Sequence, residues 1–474
     1  MNNSKAPGKF SGDVRRARLL VLAICTYYIS VLEFMSAIIK LNAMSLSTQP
    51  YKGARDFYPE DKRVQKYMFS TLRRVVENFG YQEYDAPILE PLDIYLAKSG
   101  EEIINEQLYT FEDKGGRKVA IRPEMTPTVS RMVAARRQEL PYPLRWYSLP
   151  NLWRYERPQK GRLREHWQLN VDLFGIGNVT ADHEIILIAD SILKAFSAPQ
   201  DSYTIRISSR KLVDLFLKNH LKLSDDQFYQ TSKLIDRWHK IDRKDFYDQA
   251  KDILKDETKY EHLIGLLDSK DLDSLPDEIN DNAEVNELRE LEKLLRTSGV
   301  KNASFDFSVI RGMDYYNGIV FEVFDTDPDN NRSMFGGGRY DGLVSQFGVE
   351  TVATVGFGMG DVTLQNFLES HKLLPKLKTE TDATVILVGD VYQSAQLVIN
   401  ELRQKGINLS IDASGRKLDA QIKSAVKAGV RYAIFIGDKE LQSQQFKLRD
   451  LEKGEEKDLT TNQIVSSFTV RKDI

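Results

Sequence analysis

Short β-rich segments lie on both sides of a long helical stretch, and this order is the strongest constraint on the fold. Between residues 81 and 174, β-rich runs alternate with proline and glycine. Residues 212–298 are rich in Lys, Asp and Glu and follow a helical period, and apolar strands return after them. The order predicts an α+β domain at residues 44–375, built on an antiparallel sheet and interrupted by a helical insertion at 212–298.

A second pattern begins near residue 380. The runs "TVILVGD", "NLSIDA" and "YAIFIGD" read as strands, and an amphipathic helix follows each of the first two. Because parallel strands need crossover helices of this kind, the β-α-β-α-β order predicts a small, mainly parallel α/β domain at residues 380–474.

Composition limits the classes of site rather than the function. The 66 Lys and Arg balance 69 Asp and Glu, so the net charge of −3 neither supports nor excludes a nucleic-acid partner. Cys25 is the only cysteine, which excludes a disulfide framework and thiolate metal sites and predicts a reducing, cytoplasmic location. The six histidines form no closely spaced pair, so we expect no structural zinc site, and no residues are assigned as metal ligands.

Residues 1–43 are an apolar N-terminal extension that leaves three interpretations open. Leu19 to Ile39 are almost wholly apolar and long enough to span a bilayer, with Glu33 as the interruption. The segment is a membrane anchor, a targeting segment, or an extension outside the functional protein, with Met44 as the real start. Glu33 is costly at membrane depth and a polar, globular pattern starts after Met44, which favours the third interpretation.

A basic loop is the first candidate for chemistry. The run "RYERPQKGRLR", residues 154–164, holds five basic residues and one acidic residue. Pro158 and Gly161 predict a tight turn between two strands. Arginines held on such a loop can bind several phosphate oxygens, because each guanidinium offers a planar, bidentate donor. A solvated basic hairpin is the alternative interpretation.

Three further segments combine polar groups with special backbone. In "RPEMTPTVSRM", residues 122–132, a carboxylate and hydroxyls can hold an ammonium group, or the threonines can cap a helix. In "IRGMDYYNGIVFEVF", residues 310–324, Arg311 and Asp314 are the informative polar residues. In "FGGGRYDGLV", residues 335–344, three glycines permit close approach to a ligand but also suit a plain turn.

Together and in this order, these segments closely resemble those of the histidyl-tRNA synthetase family of class II aminoacyl-tRNA synthetases. "GARDFYPED" from Gly53, "GYQEYDAPILEP" around Pro87 and the C-terminal "GRKLDAQIKSAVKAG" extend the resemblance from about residue 50 to the C-terminus. It implies a class II catalytic sheet and a C-terminal anticodon-binding domain. It also implies histidine, ATP and tRNA-His as partners, Mg²⁺ with unknown protein ligands, and a homodimer joined through Gly53–Pro87.

The resemblance also assigns roles to single residues. It implies that Arg154 and Arg311 are catalytic, holding the ATP α-phosphate and the attacking carboxylate. The residues implied to bind histidine are Glu124, Thr126 and Gln168 at the ammonium, Asp172 and Tyr316 at the imidazole, and Tyr315 and Arg311. The residues implied to bind ATP are Arg154, Glu156, Arg162 and Arg339. Polar groups opposite the ring nitrogens discriminate strongly, because an analogue without them leaves buried polar atoms unpaired.

The sequence departs from the family pattern at its third motif. That motif usually ends in Gly-x-Glu-Arg, whereas the matching stretch here is "GFGMGDVTL", with Thr363 at the position of the arginine. The missing cation normally contacts the γ-phosphate. ATP binding is therefore weakened, compensated by another basic residue such as Arg157 or Lys160, or abolished. Asp172, where many members have Glu, is a milder change that keeps the charge.

Two other functions remain as alternatives. One is a non-catalytic paralogue, such as the regulatory subunit of the first enzyme of histidine biosynthesis, and Thr363 slightly favours it. The intact "RGMDYYNG" segment and the C-terminal domain argue against that paralogue. The other is an RNA-binding or sensor protein on the same fold, which would need none of the histidine-binding groups. The sequence supports both of these interpretations less well than it supports an active synthetase.

Overall fold

The fold was obtained as a computed structural model, which describes residues 46–96, 107–159, 161–269, 272–310, 315–330 and 333–468. The interpretations of residues 1–43, and the predictions for Lys160, Arg311 and Asp314, concern residues outside these ranges. Within the described ranges, no helix is long and apolar enough to cross a membrane.

A long amphipathic helix, α1 (Pro59–Asn78), opens the catalytic region. Proline is favoured in the first turn of a helix, where its missing N–H has no intrahelical partner to lose. Met68, Leu72 and Val76 recur at helical spacing and are buried against the core. Gly80, with φ of 82°, follows the helix and lets the chain turn into the first strand.

The centre of the catalytic region is a large, mostly antiparallel sheet. Its strands are β1 (Gln82–Glu83), β5 (Leu144–Ser148), β6 (Asn151–Trp153), β7 (Glu165–Phe174), β8 (Tyr203–Ser209), β9 (Ala303–Phe305), β10 (Ile319–Asp325), β11 (Ser333–Arg339) and β12 (Thr354–Gly360). The order across the sheet is β1-β5-β7-β12-β11-β10-β8-β9, with β6 also pairing with β7. The β1–β5 and β8–β9 pairs are parallel. The predicted α+β architecture is confirmed.

A separate small sheet and four further helices complete this region. The small sheet has the order β2-β4-β3, formed by β2 (Leu89–Pro91), β3 (Tyr109–Glu112) and β4 (Lys118–Ile121). The helices are α2 (Asp93–Leu96), α3 (Thr126–Ala135) and α4 (Val179–Ala195). Helix α11 (Asp361–Ser370) follows β12 directly. Helices α1 and α4 pack together on the apolar face of the large sheet.

Between β8 and β9 the chain forms helices. They are α5 (Arg210–Leu215), a π-helix (Phe216–His220), α6 (Asp225–Ile235), α7 (Arg243–Leu254), α8 (Glu257–Asp268), α9 (Asp277–Asn280) and α10 (Ala283–Thr297). Asn or Asp caps begin α7, α8 and α10, and Ser224 forms a capping box at α6. The insertion therefore separates β8 from its parallel neighbour β9 without disturbing the sheet.

The C-terminal domain is a small α/β unit with its own core. Its sheet has the order β14-β13-β15-β16-β17, formed by β13 (Ala383–Val388), β14 (Leu409–Asp412), β15 (Tyr432–Gly437), β16 (Phe446–Asp450) and β17 (Glu456–Leu459). The helices are α12 (Tyr392–Gln404), α13 (Leu418–Lys427), α14 (Asp438–Ser443) and α15 (Thr461–Ser467). The three strands of the β-α-β-α-β unit are parallel, and the last two strands are antiparallel additions.

Candidate functional site

A cavity of about 900 Å³ lies on the polar face of the large sheet. This face of the sheet is polar because side chains along β7 alternate between its two faces. Leu169, Val171 and Leu173 are fully buried in the core on one side. Gln168 and Asp172, at the alternate positions, line the cavity on the other.

Glycines on the neighbouring strand keep the floor of the cavity open. Gly356 lies directly across from Asp172, and Gly358 from Asn170. A Cβ atom at Gly356 would clash with the Asp172 carboxylate, and one at Gly358 would clash with the Gln168 amide. The glycines of β12 therefore let the polar side chains of β7 reach into the cavity.

The three consecutive glycines of β11 serve the sheet more than a ligand. A Cβ at Gly337 would meet the backbone of Gly356 and Phe357, and one at Gly338 would meet Ile319 and Val320 on β10. Gly336 lines the cavity. Close approach to a ligand, one of the two interpretations of this run, therefore applies to Gly336.

Glu124 is a buried carboxylate at the edge of the cavity. It lies just before α3, is 2% exposed, and accepts a hydrogen bond of 3.1 Å from the hydroxyl of Tyr315. Thr126, the first residue of α3, also lines the cavity. The rings of Tyr315 and Tyr316 pack together at 4.8 Å between centroids, and both face the cavity. This arrangement provides acceptor oxygens for a bound cationic group.

Asp172 is the most perturbed acid of the site. Its Oδ1 accepts a hydrogen bond from the hydroxyl of Tyr340. Burial raises the pKa of Asp172 to about 7, and the Tyr340 hydrogen bond opposes that rise. Near neutral pH the group is therefore poised between its two protonation states, and a ligand that donates an N–H to it favours the ionised form.

The basic loop forms the predicted hairpin turn. Gln159 and Arg162 exchange backbone hydrogen bonds of 3.0 and 2.9 Å, and Gly161 has a φ of 79°. Arg154, Glu156 and Arg162 line the cavity. The Nε of Arg154 donates to the carbonyl of Pro123 at 3.0 Å, which fixes the direction of its side chain. The structure thus places the hairpin beside the segment that carries Glu124.

Arg339 does not line the cavity, and its expected role in ATP binding stays a prediction. It is 5% exposed, forms an ion pair with Asp182, and donates to the carbonyls of Ile176 and Asn178 at 3.1 and 3.0 Å. These groups belong to the start of α4 and the loop before it. Arg339 therefore links β11 to α4, and its guanidinium makes an ion pair and hydrogen bonds within the fold.

Thr363 lies in the cavity wall beside the hairpin turn. Its hydroxyl is 2.8 Å from the carbonyl of Met334 and 3.1 Å from that of Gly360. Its methyl group would be 3.8 Å from a Cβ placed on Gly161. The position at which the family pattern has an arginine therefore faces the basic loop. Of the two suggested compensating residues, Arg157 does not line the cavity and Lys160 is outside the described residues.

The helical insertion contributes residues that the sequence did not single out. Asp236, His239 and Lys240, which follow α6, line the cavity. The Nε2 of His239 lies 3.0 Å from Oδ2 of Asp306, which anchors this segment next to β9. No local motif marks these residues, because their position depends on how the insertion folds back over the sheet.

Metal ligation by protein side chains alone finds no support in the described residues. No group of three or more His, Cys, Asp or Glu side chains within the described ranges could hold a metal ion. Glu156 and Glu322 are carboxylates that line the cavity. Mg²⁺ commonly uses one or two carboxylates together with substrate phosphates, and these residues fit that pattern.

Comparison with known families identifies the family of this chain. The family model described as "Histidyl-tRNA synthetase" matches residues 53–361. The chain belongs to the histidyl-tRNA synthetase family. A second family model, "Anticodon binding domain", matches residues 382–471, which contain the C-terminal sheet.

Curated relatives of this family match most of this chain. "Histidine--tRNA ligase" of Leptospira biflexa is 43% identical over 436 residues, covering 90% of this chain and 97% of the relative. "Histidine--tRNA ligase" of Thermoplasma volcanium is 37% identical over 421 residues, covering 87% of this chain and 96% of the relative. The regulatory paralogue is therefore not favoured.

Solved structures share the fold of this family member. The crystal structure of histidyl-tRNA synthetase from Nostoc sp. PCC 7120 has a TM-score of 0.76 at 24% identity and covers 90% of this chain and all of its own. An ATP phosphoribosyltransferase regulatory subunit/histidyl-tRNA synthetase from Bacillus halodurans C has a TM-score of 0.69 at 22% identity, covering 83% of this chain and all of its own. At these identities the likeness concerns the fold alone.

Proposed function

We propose that the cavity is the site at which this histidine–tRNA ligase binds histidine and ATP and forms histidyl-adenylate. The observation that carries the proposal is the arrangement of opposite charges around one cavity. Buried carboxylates of Glu124 and Asp172 lie on the sheet side, and the guanidinium groups of Arg154 and Arg162 come from the basic hairpin. An amino acid ammonium group requires the carboxylates, and the phosphates of a nucleoside triphosphate require the guanidinium groups.

The ammonium of histidine is assigned to Glu124, Thr126 and Gln168. Glu124 is buried, and the hydrogen bond from Tyr315 fixes the position of one carboxylate oxygen. A positively charged ligand offsets the desolvation of that carboxylate. Thr126 and Gln168 offer further oxygens on the same cavity wall.

The imidazole is assigned to Asp172 and Tyr316. An N–H on one ring nitrogen donates to the Asp172 carboxylate, and the phenol of Tyr316 meets the other nitrogen. Since burial raises the pKa of Asp172, the gain from this hydrogen bond is large once the ligand excludes water. Amino acids without two ring nitrogens leave these groups unpaired, and this discriminates against them.

The phosphates of ATP are assigned to the hairpin. We assign Arg154 to the α-phosphate and Arg162 to the outer phosphates, with Glu156 close by, since its carboxylate lies 3.7 Å from the Arg162 guanidinium. A carboxylate oxygen of histidine attacks the α-phosphorus, the bond to the bridging oxygen breaks, and pyrophosphate leaves. Catalysis therefore depends on positioning and charge stabilisation, with no protein nucleophile. The predicted part of Arg311 in this step stays a prediction.

Mg²⁺ is expected to enter with ATP. When bound, it neutralises charge on the phosphates, and Glu156 or Glu322 would complete its coordination. Its chief ligands are then the phosphates themselves.

The second step and the assembly of the enzyme follow from the family. We expect the terminal ribose hydroxyl of tRNA-His to attack the adenylate while the C-terminal domain binds the anticodon, and we expect a cytoplasmic location. A homodimer is expected from the family, and large apolar side chains are exposed in and next to the small sheet, where an interface could cover them. These side chains are Ile88, Leu89, Leu96 and Phe111, each 44–47% exposed.

The test is histidine-dependent exchange of pyrophosphate into ATP, which requires no tRNA. Arg154→Ala should reduce exchange by a factor on the order of 100 or more, because the charge that develops on the α-phosphate loses its stabilising partner. Arg157→Ala is the matched control, since Arg157 is exposed on the same hairpin and does not line the cavity. Equal activity in the two folded variants would overturn the proposed phosphate site.

A further inference from the structure

Three buried oxygen atoms lie unsatisfied behind the proposed imidazole site. They are Oδ2 of Asp172, the hydroxyl of Tyr84 and the hydroxyl of Ser148, and within the described residues none of them has a regular hydrogen-bond partner. Unpaired buried polar atoms are uncommon because each one loses its hydration without replacement. Three of them in one place indicate an interaction that is completed by a small movement or by one water molecule.

The strand register brings these three groups to the same face of the sheet. Trp146 on β5 is paired directly with Asp172 on β7, and Ser148 lies two residues further along the same face. The ring of Tyr84 packs against that of Trp146 at 5.7 Å between centroids. The Tyr84 hydroxyl approaches that of Ser148 closely enough for a weak hydrogen bond, and it lies close enough to Asp172 for the charge of that carboxylate to affect its ionisation.

The protonation states of the three groups are complementary. Burial, and next the nearby charge of Asp172, raise the pKa of Tyr84 well above its usual range. Tyr84 therefore keeps its proton and remains a donor, as does Ser148. The free Oδ2 of Asp172 is an acceptor, while Oδ1 already receives the Tyr340 hydroxyl.

We propose that Tyr84, supported by Ser148, is a positioning residue for histidine recognition, and that it donates a hydrogen bond to Oδ2 of Asp172 directly or through one buried water. The hydrogen bond stabilises the ionised carboxylate and fixes its orientation toward the imidazole. This inference rests on the proposed contact between Asp172 and histidine. Tyr84 itself does not line the cavity and so acts through Asp172.

The role of Tyr84 has a signature in the pH dependence of histidine binding. Losing a hydrogen bond to the charged form raises the pKa of a carboxyl group. Without the Tyr84 hydroxyl, the pKa of Asp172 should be about one unit higher than with it. A smaller fraction of the enzyme then carries the ionised carboxylate at or below neutral pH, whereas nearly all of it does at high pH.

The experiment measures the Michaelis constant for histidine by pyrophosphate exchange in the Tyr84→Phe enzyme and the natural enzyme from about pH 6 to about pH 9. Free histidine titrates identically in both assays, so the ratio of the two constants reports the protein group. We expect the ratio to lie between about fivefold and tenfold near pH 6 and close to one near pH 9, as a one-unit pKa shift requires.

Tyr203→Phe is the matched control. Tyr203 is a buried tyrosine on β8, and its hydroxyl donates to Asp190 at 2.6 Å, away from the cavity lining. Its removal should lower stability and leave the ratio independent of pH. If Tyr84→Phe does not fold, Ser148→Ala should show the same pH-dependent rise in the Michaelis constant for histidine, but a smaller one.

The possible failures are distinguishable. A ratio for folded Tyr84→Phe that is constant with pH, or that grows as the pH rises, overturns the role of Tyr84. Asp172→Asn tests the proposed contact between Asp172 and histidine, on which the role of Tyr84 depends. If that variant keeps the natural histidine constant and pH profile, the contact between Asp172 and histidine is itself wrong.

Discussion

The hydroxyl of Tyr340 donates a hydrogen bond to Oδ1 of Asp172, joining residues that lie 168 positions apart in the sequence. Tyr340 follows the glycine-rich strand β11, and Asp172 lies on β7, with β12 between the two strands. The bond crosses Gly356, whose missing side chain leaves the space for it. A buried acid is thereby kept in place at the cavity floor, and the proposed recognition of histidine depends on this contact.

Histidine recognition predicts a selective defect for Asp172→Asn. The substitution nearly preserves volume and removes the charge that accepts the ring N–H. A hydrogen bond to a charged partner contributes about 1.5–3 kcal/mol, which corresponds to roughly a ten- to hundredfold rise in the Michaelis constant for histidine. Steady-state pyrophosphate exchange with each substrate varied in turn measures it. The constant for ATP should be unchanged, and equal weakening for both substrates would point to a general structural role.

The raised pKa of Asp172 predicts that the stability difference between ligand-free Asp172→Asn and the ligand-free natural protein depends on pH. The unfolded chain releases the Asp172 proton near pH 4, whereas the folded chain releases it near pH 7. The stability that this group contributes is therefore complete below about pH 4, declines as the pH rises, and is lost above about pH 7. Asp172→Asn lacks this decline, so its free energy of unfolding should improve relative to that of the natural protein between these limits. Urea unfolding at several pH values measures the difference, and a constant difference would contradict the raised pKa.

Arg339 predicts a defect in stability rather than in ATP binding. Arg339→Leu leaves Asp182 buried without its ion-pair partner, and breaking a buried pair in this way commonly costs about 3–5 kcal/mol. Chemical denaturation should show the loss. Adding Asp182→Asn removes the uncompensated charge and should recover part of it. A folded Arg339→Leu enzyme with normal stability and a strongly raised constant for ATP would restore the role expected from the sequence.

The contrast between Asp172 and Arg339 shows what a sequence can reveal about this site. The alternation along β7 identifies a strand with one polar face, because side-chain direction is a local property with a period of two residues. The partner of Arg339 is Asp182, which lies 157 positions away, and it becomes available only when α4 packs beside β11. The cavity contacts of His239 and Lys240 are hidden from the sequence for the same reason, since they depend on the path of the insertion.

At the third motif, the sequence and the structure reveal different facts about Thr363. The sequence identified Thr363 as a departure, since the comparison is position by position. It did not reveal that the Thr363 hydroxyl contacts the carbonyls of Met334 and Gly360, or that Gly161 of the basic hairpin lies beside its methyl group. Those contacts make Thr363 a structural residue at the point where the hairpin cations approach.

The position of Thr363 beside the hairpin predicts that a cation there can replace one on the hairpin. Arg162→Ala should raise the Michaelis constant for ATP by about tenfold or more, because one charge-assisted contact to phosphate is lost. Thr363→Arg, introduced into that variant, places a guanidinium in the same cavity wall and should restore much of the lost affinity. The readout is the ATP dependence of pyrophosphate exchange, and Thr363→Lys tests whether the planar guanidinium is needed. The same substitutions made with Arg157→Ala are the control, since that residue is outside the cavity lining. If Thr363→Arg folds and leaves the ATP constant of Arg162→Ala unchanged, the two positions do not serve the same phosphate, and the compensating cation lies elsewhere in the site.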